Sequence, residues 1–269
     1  MITGAVLGSP ISHSLSPVLH EAAFDFLGVE GSYSAIEVTS GSLGEFMALR
    51  AADFDYLSLT MPLKEEVLAI DVAKDALTHR IQSGNTLIKG QGTWSLTSTD
   101  GSGLIAALAH AGFTSFKSVL ILGAGGTARA VAGALDSVTE ELHVLGRSSV
   151  REAALTSAIH SASFRYLTWN SDIDFQSYDL VVNTTPAGAA DLLANSVHPH
   201  HVNLLFDVIY KPWPTELAKR WNDCGGTVIN GLELLLYQGV DQLELVLGQS
   251  LDRSALANHI RPLLQKASR

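Results

Sequence analysis

The sequence has little of what marks a secreted, membrane-spanning or nucleic-acid-binding protein. It has one cysteine, Cys224, in 269 residues, so no internal disulfide can form, and this favours a reducing compartment such as the cytoplasm. Its first ten residues, MITGAVLGSP, lack the basic residues and long apolar run of a secretory signal. No stretch approaches the roughly 18 uninterrupted apolar residues of a membrane span.

Positive charge is also scarce. Lys and Arg number 17 against 27 Asp and Glu, which gives a formal net charge of -10. We therefore expect neither nucleic acid nor an anionic membrane as a partner, and an anionic ligand must be held by a few local groups. Apolar residues make up 46% of the chain and charged residues 16%, enough for a sizeable core in one large or two small domains.

Apolar runs of strand length alternate with segments of helical period. The predicted strands cover residues 5–7, 33–38, 56–60, 86–89, 118–122, 142–145, 180–183, 204–208 and 227–229. The predicted helices begin at Ser16 and Leu232 and also cover 64–74, 127–135, 150–159 and 215–223. The first helix is expected to bury Val18, Leu19, Ala22, Ala23 and Phe26. This pattern predicts an α/β fold with a largely parallel sheet covered by helices, and a compact doubly wound unit from Lys117.

The most specific local pattern is a glycine-rich turn between a predicted strand and a predicted helix. Residues 123–128, Gly-Ala-Gly-Gly-Thr-Ala, match the G-x-G-x-x-G/A fingerprint of dinucleotide sites. Gly123 permits the tight turn, Gly125 lets the backbone approach a pyrophosphate, and the helix N-terminus supplies N–H groups. An ordinary glycine-rich turn is the alternative, and the flanking elements weigh against it.

The residues after the second strand of this unit indicate which dinucleotide binds. An NAD site usually has an acidic residue about 20 positions after the glycine-rich turn, for the ribose hydroxyls. Here the segment 146–151 reads Gly-Arg-Ser-Ser-Val-Arg and contains no acid. The guanidinium of Arg147 beside serine hydroxyls suits a 2′-phosphate and predicts NADP, with a solvated surface arginine as the alternative.

Four short polar clusters, at residues 12–16, 60–64, 84–86 and 98–101, are predicted at the C-terminal ends of strands, where open α/β sheets bind ligands. Each alone has a structural explanation: Ser16 as an N-cap, Lys64 as a solvated cation, Asn85 in a turn and Asp100 as a helix cap. A further cluster at 198–201, His-Pro-His-His, lacks the helical spacing and third ligand of a zinc site, so no metal is predicted.

Together these segments resemble the shikimate dehydrogenase family, in the expected order and across essentially the whole chain. The resemblance is carried by GSPISHSLSPVLH (8–20), TMPLK (60–64), GNTL (84–87), TDG (99–101), GAGGTAR (123–129), NTTPAG (183–188), DVIYKP (207–212) and the segment 231–238.

The resemblance implies reversible, NADPH-dependent reduction of 3-dehydroshikimate to shikimate, a CH–OH oxidoreductase reaction of the shikimate pathway toward chorismate and aromatic amino acids. It implies an α/β substrate-binding and catalytic domain (1–101 plus 232–269), a Rossmann-type NADP domain (102–231) and a cleft between them. The hydride comes from NADP(H), so no metal is needed. The partner is a small molecule, and monomer and homodimer both stay open.

Residue roles also follow from the resemblance. The implied catalytic pair is Lys64 and Asp100. The implied substrate contacts are Ser14, Ser16, Thr60, Lys64, Asn85, Asp100, Tyr210 and Gln238. The implied NADP contacts are Gly123, Ala124, Gly125, Gly126, Thr127, Gly146, Arg147, Ser148, Arg151, Val208 and Gly231. The sequence departs from the family pattern at Ser98 and Gly146, where asparagine is usual, and at Thr127, where alanine is common.

Two other functions fit parts of the sequence. A sister enzyme that oxidises quinate and prefers NAD would need a roomier site and an acid near Arg147. A non-catalytic nucleotide-binding sensor on the same fold would not need both Lys64 and Asp100, and both are present.

Overall fold

Strands and helices alternate along the chain and form two units, each with its own sheet. The computed structural model describes residues 1–199 and 203–269. One unit contains Met1–Gly103 together with Leu235–Arg269, and the other contains Leu104–Leu234. In the part of the chain that is described, no helix is long and apolar enough to cross a membrane.

The helices and strands are, in chain order, β1 (Ile2–Gly8), α1 (Ser16–Leu27), β2 (Gly31–Glu37), α2 (Leu43–Leu49), β3 (Tyr56–Leu59), α3 (Leu63–Glu66), β4 (Ala73–Lys74), α4 (Ala76–Ile81), β5 (Thr86–Gly90), β6 (Thr93–Thr97), α5 (Asp100–His110), β7 (Phe116–Leu122), α6 (Gly126–Leu135), β8 (Thr139–Gly146), α7 (Glu152–Ala158), β9 (Ser163–Thr168), β10 (Leu180–Asn183), β11 (Leu204–Asp207), α8 (Glu216–Asp223), β12 (Thr227–Asn230), α9 (Gly231–Leu247) and α10 (Arg253–Ala267).

The sheet of the first unit is mixed, with the strand order β2-β1-β3-β5-β6-β4. Strand β1 pairs in parallel with β2 and β3, whereas β5 pairs antiparallel with both β3 and β6. The prediction of a largely parallel sheet is therefore wrong for this unit. Strands β5 and β6 are joined by Gln91 and Gly92, whose φ angles of 50° and 84° are those of a tight hairpin turn rather than a helical crossover.

The sheet of the second unit is parallel throughout, in the order β12-β11-β10-β7-β8-β9. Numbered within the unit, this is the 3-2-1-4-5-6 order of a doubly wound fold, so that prediction is confirmed. All four residues of β10 are buried, as expected of a central strand covered on both faces. The strand order reverses between β7 and β10, and the loops after these strands diverge there.

Three details of the sequence interpretation are wrong. One continuous helix was predicted over 64–74, but the structure has α3, a short 3-10 helix at Val67–Ala69 and then β4. Leu63 and Val67 are buried in the core, and β4 then pairs with β6, so the chain cannot continue as a helix. Strands β6 and β9 were not predicted, because half-exposed residues interrupt their apolar pattern. Phe26 is 44% exposed while Phe24 is 2% exposed, and the Phe26 ring instead lies 4.8 Å from that of His259 on α10.

A buried histidine lies among aromatic rings in the core of the first unit. The ring of His20 on α1 stacks on Tyr33 with centroids 4.0 Å apart, and the hydroxyl of Tyr56 lies 2.8 Å from its Nδ1. Burial lowers the pKa of His20 from 6.5 to about 3, since the charged imidazolium would have to leave water. The folded protein therefore holds this side chain neutral at neutral pH.

We expect His20 to make the protein sensitive to acid. As pH falls from about 6.5 toward 3, the unfolded chain binds a proton at His20 that the folded chain does not, so stability falls by up to about 1.4 kcal/mol per pH unit. His20→Phe keeps an aromatic ring and removes the titration. Urea unfolding at several pH values should show a shallower acid-side slope for this variant, whatever its stability at pH 7. The same substitution at exposed His79 is the control and should keep the wild-type slope; equal slopes for wild type and His20→Phe would contradict the interpretation.

Candidate active site

A largely buried ion pair between Lys64 and Asp100 lies at the centre of the candidate site. Nζ of Lys64 is 2.5 Å from Oδ2 of Asp100, and the two side chains are 16% and 5% exposed. Lys64 lies on α3, directly after β3, and Asp100 is the first residue of α5. The Gly84 N–H donates to the Lys64 carbonyl at 2.9 Å, which ties α3 to the segment before β5. The structure thus brings together the two residues implied to be catalytic.

Asn85 joins this pair through its side-chain amide. Its Nδ2 donates to Oδ1 of Asp100 at 2.9 Å, and it also lies 3.2 Å from Oε1 of Gln238. The backbone N–H of Thr99 donates to Asn85 Oδ1 at 2.8 Å. Because a backbone N–H can only donate, the amide oxygen must face Thr99 and the amide NH2 must face Asp100. Asn85 and Gln238 are both buried.

These side chains meet at one edge of the mixed sheet. The segments 60–64 and 98–101 follow β3 and β6, but 84–86 precedes β5, so the prediction that all four polar clusters follow strands is wrong for this one. Because β5 is antiparallel to both neighbours, its first residues lie where β3 and β6 end. The Leu59 N–H donates to the Asn85 carbonyl at 2.7 Å, and the Asn85 N–H donates to the Thr97 carbonyl at 3.1 Å.

Ser14 and Ser16 form a second polar group at the N-terminus of α1. Their hydroxyl oxygens are 3.3 Å apart, and the Ser16 N–H donates to Ser14 Oγ at 3.3 Å. Ser16 is the first residue of the helix and its hydroxyl makes no cap bond, so its interpretation as an N-cap is wrong; the N-cap position is Leu15. Thr60 directly follows β3, and its N–H donates to the Leu7 carbonyl at 2.9 Å, beside the end of β1. Hydroxyls at the start of a 12-residue helix suit a carboxylate.

Tyr210 lies in the second unit, in the loop after β11. This loop is held by Asp207, whose carboxylate accepts from the Thr215 hydroxyl at 2.7 Å and the Ile209 N–H at 3.1 Å. Burial raises the pKa of Asp207, and these hydrogen bonds partly oppose that shift. The Gly231 N–H donates to the Ile209 carbonyl at 3.2 Å, so Gly231, at the start of α9, lies beside the loop that carries Val208.

The glycine-rich turn has the shape that a pyrophosphate needs. Gly123 has φ of 102°, and a Cβ there would lie 2.7 Å from Oγ1 of Thr184 in the loop after β10. Gly125 is the N-cap of α6, and no side-chain cap bond forms there. A Cβ at Gly125 would make ordinary van der Waals contact with Arg151 Nη1 at 3.6 Å, so no backbone crowds the turn there. The first N–H groups and the positive dipole end of α6 lie at this turn, and the residues present fit a dinucleotide.

Gly146 is one of the positions where the sequence departs from the family pattern. The Tyr166 side chain occupies the space that a side chain at position 146 would take. A Cβ at Gly146 would lie 1.8 Å from the hydroxyl oxygen and 2.6 Å from Cζ of Tyr166 on β9. That hydroxyl donates to the Ser148 carbonyl at 2.6 Å. Arg151 Nη1 donates to the Ala124 carbonyl at 3.3 Å, which joins this loop to the glycine-rich turn. Arg147 is exposed. The loop 146–151 is therefore held in place by Tyr166 rather than by a side chain at 146.

Sequence reasoning placed Thr86 and Thr99 in polar clusters without giving them a role, and it missed Gln242. Thr86 and Thr99 hydrogen-bond to Asn85 and Gln242 to Thr86, and a buried glutamine on an amphipathic helix was the available signal. Ser98 is 5% exposed, and its hydroxyl has no hydrogen-bond partner among the described residues.

Within residues 1–199 and 203–269, no group of His, Cys, Asp and Glu is arranged to hold a metal ion. His200 and His201 lie outside these residues.

Comparison with known proteins shows which family this chain resembles. A family model described as the shikimate dehydrogenase substrate binding domain matches residues 6–87. Shikimate dehydrogenase (NADP(+)) of Methanosarcina mazei is 34% identical over 256 residues, 90% of this chain and 91% of that protein. The Mycobacterium tuberculosis shikimate dehydrogenase structure has 31% identity and a TM-score of 0.87, covering 97% of this chain and 100% of that one. A Thermus thermophilus shikimate 5-dehydrogenase structure with NADP(H) and shikimate has 32% identity and a TM-score of 0.79, covering 98% and 100%.

A mixed α/β unit followed by a doubly wound unit with a glycine-rich strand-to-helix turn defines a protein of the Rossmann-type dinucleotide-binding class. The α/β fold with a Rossmann-type nucleotide unit is confirmed. The identity to whole relatives narrows this further: the chain belongs to the shikimate dehydrogenase family.

We expect the cost of a side chain at position 146 to depend on the presence of Tyr166. Gly146→Ala should displace the tyrosine ring, break its hydrogen bond to the Ser148 carbonyl and lower stability by about 1–3 kcal/mol. In a Tyr166→Ala background, which vacates this space, the same change should cost almost nothing. Urea unfolding of the wild type, both single variants and the double variant forms a double-mutant cycle. Additive free energies would contradict the predicted contact.

Proposed function

We propose that this chain catalyses the reversible reduction of 3-dehydroshikimate to shikimate with NADPH, an oxidoreductase reaction at a CH–OH group in the shikimate pathway. The observation that carries the proposal is the Lys64–Asp100 pair, in which Nζ and Oδ2 are 2.5 Å apart and the Asn85 amide donates to Asp100. Such a group can exchange a proton with a substrate oxygen and hydrogen-bond neighbouring hydroxyls. Relatives named shikimate dehydrogenase (NADP(+)) support both the substrate and the cofactor.

The two units have separate roles in this proposal. The substrate-binding part, 1–101 plus 232–269, contributes Ser14, Ser16, Thr60, Lys64, Asn85, Asp100 and Gln238, and Tyr210 adds a contact from the nucleotide part, 102–231. The NADP contacts are Gly123, Ala124, Gly125, Gly126, Thr127, Gly146, Arg147, Ser148, Arg151, Val208 and Gly231. The single cysteine, Cys224, is consistent with work in the cytoplasm.

Lys64 is the proton donor in the reducing direction. NADPH, which the glycine-rich turn and the loop 146–151 would hold, would supply the hydride for C3 of the substrate. Negative charge then develops on the carbonyl oxygen, and the Lys64 ammonium stabilises this charge and gives up a proton to form the hydroxyl. In the reverse direction the neutral amine takes that proton. Asp100 holds the lysine in place through the ion pair, and Asn85 and Gln238 are the proposed contacts for ring hydroxyls, since each amide can both donate and accept.

The substrate carboxylate is held without an arginine. Ser14 and Ser16 present hydroxyls at the N-terminus of α1, where the helix dipole favours negative charge. This placement leaves the positive charge of the first-unit site concentrated at Lys64. The carboxylate and the reacting carbonyl are therefore recognised by different kinds of group, which fixes the orientation of the ring.

Removal of the Lys64 amine tests the proton-transfer role. Lys64→Met keeps the aliphatic stem, and we expect kcat to fall by about 10²–10⁴-fold while shikimate still binds. Steady-state kinetics and isothermal titration with shikimate measure the two effects. Lys89→Met, which removes a half-buried lysine on β5 of the same unit, is the control and should retain activity. A large rise in KM with unchanged kcat would show that Lys64 serves binding instead.

The activity and its cofactor are tested together by assaying shikimate and quinate, each with NADP and NAD. The wild type should prefer shikimate and NADP.

Arg147→Asp should lower the NADP preference by about 10- to 100-fold, because a charge-assisted bond to the 2′-phosphate is worth about 1.5–3 kcal/mol. Lys219→Asp on α8 matches the charge change and should leave the preference unaltered. Equal use of both cofactors by the wild type would refute the Arg147 role, and preference for quinate with NAD would favour the sister enzyme.

A further inference from the structure

A continuous chain of buried hydrogen bonds leads from β2 to the candidate catalytic pair. The Tyr33 hydroxyl donates to Ser58 Oγ at 2.6 Å, and the Ser58 hydroxyl donates to Oε1 of Gln242 at 2.8 Å. Gln242 Nε2 donates to Thr86 Oγ1 at 2.8 Å, and the Thr86 hydroxyl donates to Oδ1 of Asn85 at 2.9 Å. The chain joins α9 to strands β2, β3 and β5 at the point where Asn85 meets Asp100.

The direction of these bonds is set by chemistry. An amide NH2 can only donate, so Gln242 Nε2 occupies the acceptor side of the Thr86 hydroxyl. The Thr86 proton is then available for Asn85 Oδ1. Without Gln242, that hydroxyl could turn toward Thr99 Oγ1, which lies 3.3 Å away. Gln242 therefore determines whether Thr86 supports Asn85.

The support from Thr86 adds to that from Thr99. The Thr99 N–H decides which end of the Asn85 amide faces Asp100, and the Thr86 hydroxyl is the shortest side-chain donor to the same amide oxygen. This further donor restricts rotation of the amide and fixes the direction of the bond from Nδ2 to Asp100. Because Asp100 orients Lys64, a small displacement of the amide moves the group that transfers the proton.

Burial makes this chain costly to break. Thr86 and Gln242 are both 0% exposed, and Ser58 is 6% exposed, so water does not readily replace a lost partner. A series of hydrogen bonds that all point the same way also polarises its members, and here they point toward a carboxylate.

We propose that Gln242 is a positioning residue for the Lys64–Asp100 pair, acting through Thr86 and Asn85, an inference that rests on the proposed function. Gln242 contacts neither member of the pair directly in the hydrogen bonds described above. Its role is to hold the Thr86 hydroxyl as a donor to Asn85.

The test removes each bonding group while keeping its shape. Gln242→Met and Thr86→Val should each lower kcat for shikimate about tenfold and leave KM for NADP unchanged, because misplacement of a catalytic group costs rate rather than cofactor binding. Thr86→Ser restores the hydroxyl and should recover most of kcat. The double variant Thr86→Val with Gln242→Met should lose no more than either single variant, since both act through one bond.

The control is Thr78→Val, which deletes another fully buried threonine hydroxyl of the same unit, one bonded to the Leu96 carbonyl. It should lose comparable stability in urea and keep its kcat. If Gln242→Met and Thr86→Val lose stability but keep wild-type kcat, the chain is merely structural and the proposal is overturned, as it is if Thr86→Ser fails to rescue.

A readout without turnover separates this proposal from the proposed function. The side-chain NH2 resonances of Asn85 in ¹⁵N-labelled protein should shift or broaden in Gln242→Met and remain unchanged in Thr78→Val. A wild type that oxidises no shikimate, with these resonances still responding to Gln242, would refute the proposed function but retain the link from Gln242 to Asn85. Unchanged resonances in Gln242→Met would overturn the link itself.

Discussion

The orientation of the Asn85 side chain is the constraint on which the candidate site depends. A buried amide has two donors and an acceptor that all need partners, so its surroundings must be arranged on every side. Here the Asp100 carboxylate and Gln238 Oε1 accept from the two N–H groups, and the Thr99 N–H and the Thr86 hydroxyl donate to the oxygen. The Lys64–Asp100 pair is then one end of a hydrogen-bonded network instead of an isolated pair of charges. Removing a charge from water is costly, and this network compensates for part of that cost.

The mixed sheet of the first unit makes this arrangement possible. In a parallel sheet, only residues that follow strands would reach the edge where the site lies. The antiparallel β5 brings Asn85, the residue directly before its first residue, to that edge between the ends of β3 and β6. The second unit forms its candidate cofactor site differently. Its sheet is parallel, the strand order reverses between β7 and β10, and the glycine-rich turn lies at this reversal.

The sequence predicts much of this because its strongest signals are local. Apolar runs locate most strands, and the turn from Gly123 needs no distant partner to be recognised. The β5–β6 hairpin was missed because its turn, Gln91-Gly92, lacks the usual Asn-Gly or Asp-Gly pair, and β6 has half-exposed residues. Gln242 was missed because a glutamine on an amphipathic helix is ordinary in sequence. Its importance comes from contacts with residues about 150 and 180 positions away.

Tyr166 also restricts the routes by which this chain can diverge. Its hydroxyl lies where a side chain at position 146 would begin, so a larger residue there is accessible only after the tyrosine has been replaced by something smaller. That first replacement would release the Ser148 carbonyl before any new contact compensates for it. The order of substitutions is thus constrained, and a lineage that acquires this tyrosine tends to keep its glycine.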